Sequence, residues 1–159
     1  MRNRGRYALA ALMLMVFVAL AQGCAAPAAP PPAALDAANA VLAGQAFSEP
    51  FLIEDAKALE LLGLSAADAA DTAMYMDVSR MTPECVVVVT APSDAGGGKV
   101  RQALSDYRQM LKAQYESYRP DEVYKVDQAV LESSGRQHAL VISPSPQDAR
   151  TALNAAWKK

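Results

Sequence analysis

The feature that most limits what this chain can fold into is the run Glu84 to Ala91, in which Val86, Val87, Val88 and Val89 follow Cys85 without interruption. β-Branched side chains lose rotamer freedom in a helix and fit a pleated strand. Successive strand residues point to opposite faces, so consecutive valines put apolar bulk on both. Such a strand is covered on both faces or placed at the centre of a sheet, and this one is expected to be the most buried segment of the fold.

The elements around it follow from periodicity. Leu35, Ala38, Val41 and Leu42 recur at helical intervals before Gly44, and Glu54 to Leu62 reads as a second short helix with Leu59 and Leu62 facing inward. Gly63 is placed to take the left-handed position that closes it. Ser48-Glu49-Pro50 separates the two helices. Ser65, with Asp68 three positions on, reads as the cap of one further turn. Thr72 to Ser79 alternates Met74, Met76 and Val78 with Ala73, Tyr75 and Asp77, which predicts a strand with one buried face at the sheet edge.

Beyond Gly96, Gly97 and Gly98, the residues Val100, Leu104, Tyr107, Leu111, Tyr115 and Tyr118 form one apolar helical stripe, ended by Arg119-Pro120. Asp121 to Lys125 adds a turn of helix. Gln128 to Ser133 and His138 to Ser143 predict a hairpin through Ser134-Gly135-Arg136-Gln137, and Ser145-Pro146 opens a last helix carrying Ala149, Leu153 and Trp157. The order predicts an α+β domain: a four-stranded, mainly antiparallel sheet in ββαββα order, helices on one face, preceded by N-terminal helices.

Ahead of the domain, Arg2, Arg4 and Arg6 precede an apolar run from Tyr7 to Ala21, and Leu20, Ala21, Gln22 and Gly23 lead to Cys24. This arrangement resembles the bacterial lipoprotein signal, in which small or apolar residues precede an obligatory cysteine. Leu20 stands one place upstream of where that signal most often carries leucine. The resemblance implies cleavage before Cys24, diacylglycerol on its thiol, and anchorage of the mature chain to a bacterial membrane on the extracytoplasmic side. The 15 apolar residues fall short of the ~20 that span a hydrocarbon core. Ala25 to Ala34, rich in alanine and proline, reads as a polyproline-type tether reaching up to about 30 Å. The expected division is therefore residues 1–23 as signal peptide, 24–34 as lipidated cysteine and tether, and 35–159 as one domain.

Lys and Arg number 15 against 17 Asp and Glu, and removal of Arg2, Arg4 and Arg6 brings the formal charge to −5. No basic stripe is available for nucleic acid. Lipidation of Cys24 leaves Cys85 without a disulfide partner, and its place in the valine run makes it a buried apolar residue.

From Leu35 onward the chain resembles the bacterial lipoprotein family called domain of unknown function 4358. Leu62-Gly63-Leu64, Glu84 before Val86 to Val89, Tyr118-Arg119-Pro120-Asp121-Glu122-Val123, Ser134-Gly135 and Leu140-Val141-Ile142-Ser143 carry the likeness. It implies an anchored extracytoplasmic domain and brings no particular chemistry with it.

Catalytic groups are sparse. Gly96-Gly97-Gly98-Lys99 departs from a Walker loop because Val100 stands where a hydroxyl must bind magnesium, and the glycines read as a flexible strand-to-helix turn. His138 is the sole imidazole and reads as a half-exposed strand residue; neither a zinc set nor a Gly-x-Ser-x-Gly elbow occurs, and no cofactor is expected. Tyr107, Tyr115 and Tyr118 are expected to pack on the sheet, with an aromatic platform for glycan or peptide as the other reading. The leading expectation is a non-catalytic domain for interaction or cell-envelope support, its partners being the bilayer through Cys24 and an envelope protein or glycan. The alternative is an envelope hydrolase using carboxylates around Asp71, Asp77 and Glu84, with Asp68 nearby.

Overall fold

A computed structural model describes residues 30–158; the leader, Cys24 and most of the tether lie outside them. The helix α1 (Ala34–Ala43) is followed by strand β1 (Pro50–Ile53), helix α2 (Asp55–Leu62), and strands β2 (Asp71–Asp77) and β3 (Cys85–Thr90). A 3-10 turn at Asp94–Gly96 runs into the long helix α3 (Gly97–Tyr118), and a second at Pro120–Glu122 into α4 (Val123–Asp127). Strands β4 (Val130–Ser134) and β5 (Gln137–Ile142) precede helix α5 (Pro146–Trp157).

The sheet is five-stranded and antiparallel, in the order β1-β2-β3-β5-β4, so the valine strand β3 stands at its centre with every residue buried. Val87 and Val89 join Met74, Leu140 and Ile142 beneath α2, α3 and α4. Val86 and Val88 join Ala73, Ala139 and Val141 beneath α1 and α5. The α+β class is as expected, but two particulars are corrected. Helices cover both faces rather than one, because alternation along β3 leaves no face that can meet water. The α1 side is built from small residues, Ala34, Ala37 and Ala38 with Val41, which bring the helix close without a broad apolar stripe.

The second correction is the strand count. Pro50–Ile53 pairs with β2 from Pro50↔Asp77 to Ile53↔Met74, so a fifth strand takes the edge expected for Thr72 to Ser79. Proline is tolerated as the first residue of an edge strand, where one N–H is surplus, and four residues are too few for alternation to show. β2 is consequently covered on both of its faces, with Met74 and Met76 on one side and Ala73 and Tyr75 on the other.

Local signals hold at the ends of elements. Gly63 adopts φ +66°, and its N–H and that of Leu64 reach the carbonyls of Glu60 and Leu59, a closed Schellman cap. Gly135, at φ +54°, and Arg136 connect the paired residues Ser134 and Gln137. Gln137 is fully buried and donates to the Pro32 carbonyl (2.8 Å) and Thr90 Oγ1 (3.1 Å), while Trp157 Nε1 donates to its Oε1 (2.6 Å). One amide thus ties the chain ahead of α1, the central strand and the end of α5 together.

Candidate functional site

The carboxylates singled out from the sequence do not converge. Asp77, 2% exposed at the end of β2, accepts hydrogen bonds from Ser79 N (2.8 Å), Ser79 Oγ (2.6 Å), Thr82 N (3.0 Å) and Thr82 Oγ1 (2.7 Å). Burial opposes its ionisation, yet these four donors outweigh it and hold the carboxyl below the ordinary range. Tyr115 reaches down from α3 to the same turn and donates to the carbonyls of Arg80 and Thr82. Asp71 lies six residues along the same strand, about 20 Å away, where its carboxylate accepts from Ala34 N (2.7 Å) and caps α1.

Glu84 is buried beside Asp77. Its Oε1 accepts from Lys125 Nζ (2.8 Å) and its Oε2 from Ser48 N (2.7 Å), so it joins β3 to α4 and to the approach to β1. Lys125 also lies 2.7 Å from Glu122 Oε2, a charge contact without hydrogen-bond alignment. Burial would depress the ammonium's pKa, but the two carboxylates win and raise it. Asp68 accepts from Ser65 N–H, Ser65 O–H and Lys99, which holds it well below the carboxylate range. Ser65 is therefore a donor to Asp68 in a simple turn, rather than the cap of a helical turn. Among the described residues no group of three or more His, Cys, Asp or Glu is placed to hold a metal ion.

His138 is corrected from half-exposed to 4% exposed, because β5 is an interior strand roofed by the start of α3. Its Nδ1 is 2.6 Å from Ser133 Oγ on the paired strand, and its buried Nε2 has no hydrogen-bond partner. A methyl group on Gly97 would stand 2.8 Å from that nitrogen, so the glycine is required by close approach of the ring and not by turn flexibility. Burial, and then the charge of Arg101, lower the imidazole pKa, leaving the ring neutral at pH 7. An open cleft of about 410 Å³ lies here, lined by Gly97, Gly98, Arg101, Ser133 and His138, with Asp94 also in its wall. The Ser133–His138 contact was readable in principle from the hairpin register, which pairs those two residues once the loop is reduced to Gly135-Arg136.

Cys85 is buried, and desolvation pushes its thiol up to about 12. Iodoacetamide should modify the Cys85 peptide only after denaturation; rapid labelling in the native protein would show an accessible thiolate instead. Tyr107 and Tyr115 pack into the core as expected, whereas Tyr118 is exposed and meets Tyr115 edge-on at 6.5 Å. No tyrosine platform is assembled from the three. The outer edge of β1 is a different surface: Phe51 and Leu52 are 57% and 42% exposed, and Val78, whose N–H donates to the Glu49 carbonyl just ahead of the strand, is exposed as well.

Fold and site together define a three-layer α+β domain whose buried ionisable groups are largely tied into its frame. The chain belongs to the family described as Domain of unknown function (DUF4358), which matches residues 48–143. That span is narrower than the likeness read from Leu35 to the end. It holds all five strands and α2 to α4, and leaves out α1 and α5, the layer on the other face. Neither a curated protein nor a solved structure matches the chain.

Proposed function

We propose that this is a lipid-anchored, extracytoplasmic domain of a bacterial cell envelope, held to the membrane through acylated Cys24, that binds an envelope protein without catalysis. The observation that carries the binding half is the edge of β1. It pairs only with β2, so its outer N–H and C=O groups face away from the sheet, and Phe51 and Leu52 stand exposed on it. An extended segment of a partner can add there as a sixth strand, main-chain hydrogen bonds giving affinity and the two apolar side chains giving grip. Exposed Glu49 and Glu54 flank the strand, which favours a segment with basic residues at its ends. The hydrolase reading loses support because Asp77 and Glu84 are occupied by donors from the fold and Asp71 caps a distant helix.

The test is affinity capture from solubilised membranes with the full chain and with Phe51→Asp. Recovery of a defined envelope protein that drops by about tenfold or more in the variant is expected, as for an apolar anchor at an interface. Equal recovery with both would remove β1 as the docking edge. The anchor is checked separately: Cys24→Ser should abolish metabolic palmitate labelling, and undiminished labelling would sink the lipid assignment.

A further inference from the structure

His138 sits where a second proton has no place. The ring is 4% exposed, its Nδ1 is engaged with Ser133 Oγ, and its Nε2 lies against Gly97 with no hydrogen-bond partner. The neutral ring tolerates this, with its one proton on Nδ1 directed at Ser133 and a bare Nε2 beside the glycine. The imidazolium has no such choice, because it carries N–H on both nitrogens and Nε2 becomes a buried donor without an acceptor. The groups that face the ring do not offset this cost. From α3 it meets Arg101, whose charge opposes another cation. From β4 it meets the Ser133 hydroxyl, since Glu132 pairs with Arg150 on the α5 side, and β3 presents Val89. Arg136 in the hairpin turn donates to the carbonyls of Ala91 and Pro92. Among the described residues the one carboxylate in the wall of the cleft is that of Asp94.

The roof over the ring is the least secure part of α3. The helix starts on Gly97 and Gly98 behind Gly96, with no side-chain cap and no acid in its first turn, and glycine is the poorest helix former after proline. Leu104, Tyr107 and Leu111 hold the rest of the helix in the core. The first turn can therefore unwind while the remainder stays docked. We propose that His138 is an acid-sensitive latch: the ring takes a proton only when Gly96, Gly97 and Gly98 lift away from it, which opens the imidazolium to cleft water and to the field of the Asp94 carboxylate. The closed state is the neutral one. Burial and then Arg101 lower the imidazole pKa there, whereas an exposed ring keeps the ordinary value of 6.5, so the closed state is whole above 6.5 and yields to the open one as pH falls below it. The latch uses neither Cys24 nor the β1 edge and stands or falls independently of the function proposed above.

The test is amide hydrogen exchange of the full chain in detergent solution, read as protection factors for Arg101 and Gln102, whose N–H groups make the first α-helical bonds of α3. Between about pH 7.5 and about pH 5.5 these factors are expected to fall about five- to tenfold. The fall should be independent of urea below about 1 M, because a local opening exposes little surface. His138→Gln, which takes no proton in this range, should remove it. Gly97→Ala, whose methyl group would stand 2.8 Å from Nε2, should leave the turn as poorly protected at neutral pH as acid leaves the native one, and it keeps the test open if His138→Gln does not fold. Protection that does not respond to pH, a fall that persists in His138→Gln, a fall that follows urea and so reports global unfolding, or a fully protected first turn in Gly97→Ala would overturn the proposal.

Discussion

Lys125→Met is expected to destabilise the protein by about 3–5 kcal/mol, read as a lower urea midpoint at neutral pH with an unchanged slope. The reason is the partner left behind. Glu84 has a side chain 3% exposed, and its Oε1 has Lys125 as its only hydrogen-bond donor among the described residues, so removing the ammonium strands a buried carboxylate. The double variant Lys125→Met with Glu84→Gln should recover much of the loss, because an amide tolerates the site that a lone charge does not. If the double variant is as unstable as the sum of the singles, the ion pair is not the source of the effect. The pH dependence has a definite sign. The ammonium's pKa is raised on folding, so its contribution is whole below the ordinary lysine value of 10.5 and is lost as pH climbs through the higher folded value.

Asp77→Asn is the second large effect, about 1.5–3 kcal/mol, the range for hydrogen bonds to a charged group. The substitution keeps the shape of the side chain but replaces one acceptor oxygen by a donor that faces the Ser79 or Thr82 donors. The turn Ser79 to Thr82 should loosen with it, and Tyr115, which donates to the carbonyls of that turn, should lose order as well. Here the folded pKa is depressed below 3.8, so the stabilisation is present above that value and disappears as pH falls through the folded value. Thermal melts should show a constant gap between native and variant at neutral pH that closes as pH falls below 3.8 and through the lower folded value. A gap that stays constant as pH falls through that range would mean that the charge on Asp77 contributes nothing and that the loss comes from packing alone.

Both residues mark the boundary of what could be read from the chain. Asp77 and Glu84 were visible as acids at strand ends, and the sequence allowed them to be catalytic. The structure gives each of them donors from residues near and far: Ser79 and Thr82 are local, but Ser48 and Lys125 come from separate elements. No periodicity reports such a contact. The same holds for Gln137, whose place at the end of Ser134-Gly135-Arg136-Gln137 predicts a turn residue and which the fold buries between three segments. The β1 edge is hidden in the sequence for another reason, since Pro50 reads as a break and four residues cannot display an alternating pattern.

What the sequence determined by itself is local or periodic. The valine run required a central strand, and the stripe from Val100 to Tyr115 required one apolar helix face. Gly63 provided its αL cap, and Gly135 turned the hairpin. These follow from backbone sterics and from burial of side chains at fixed spacing, which act within a dozen residues. Only the tertiary structure decided how many strands the sheet has, that helices lie on both of its faces, and which ionisable groups meet. Those outcomes depend on pairings between residues tens of positions apart. Thus Gly97 could be recognised as a place for His138, and not merely as a flexible link, only once β5 had been set beneath the start of α3.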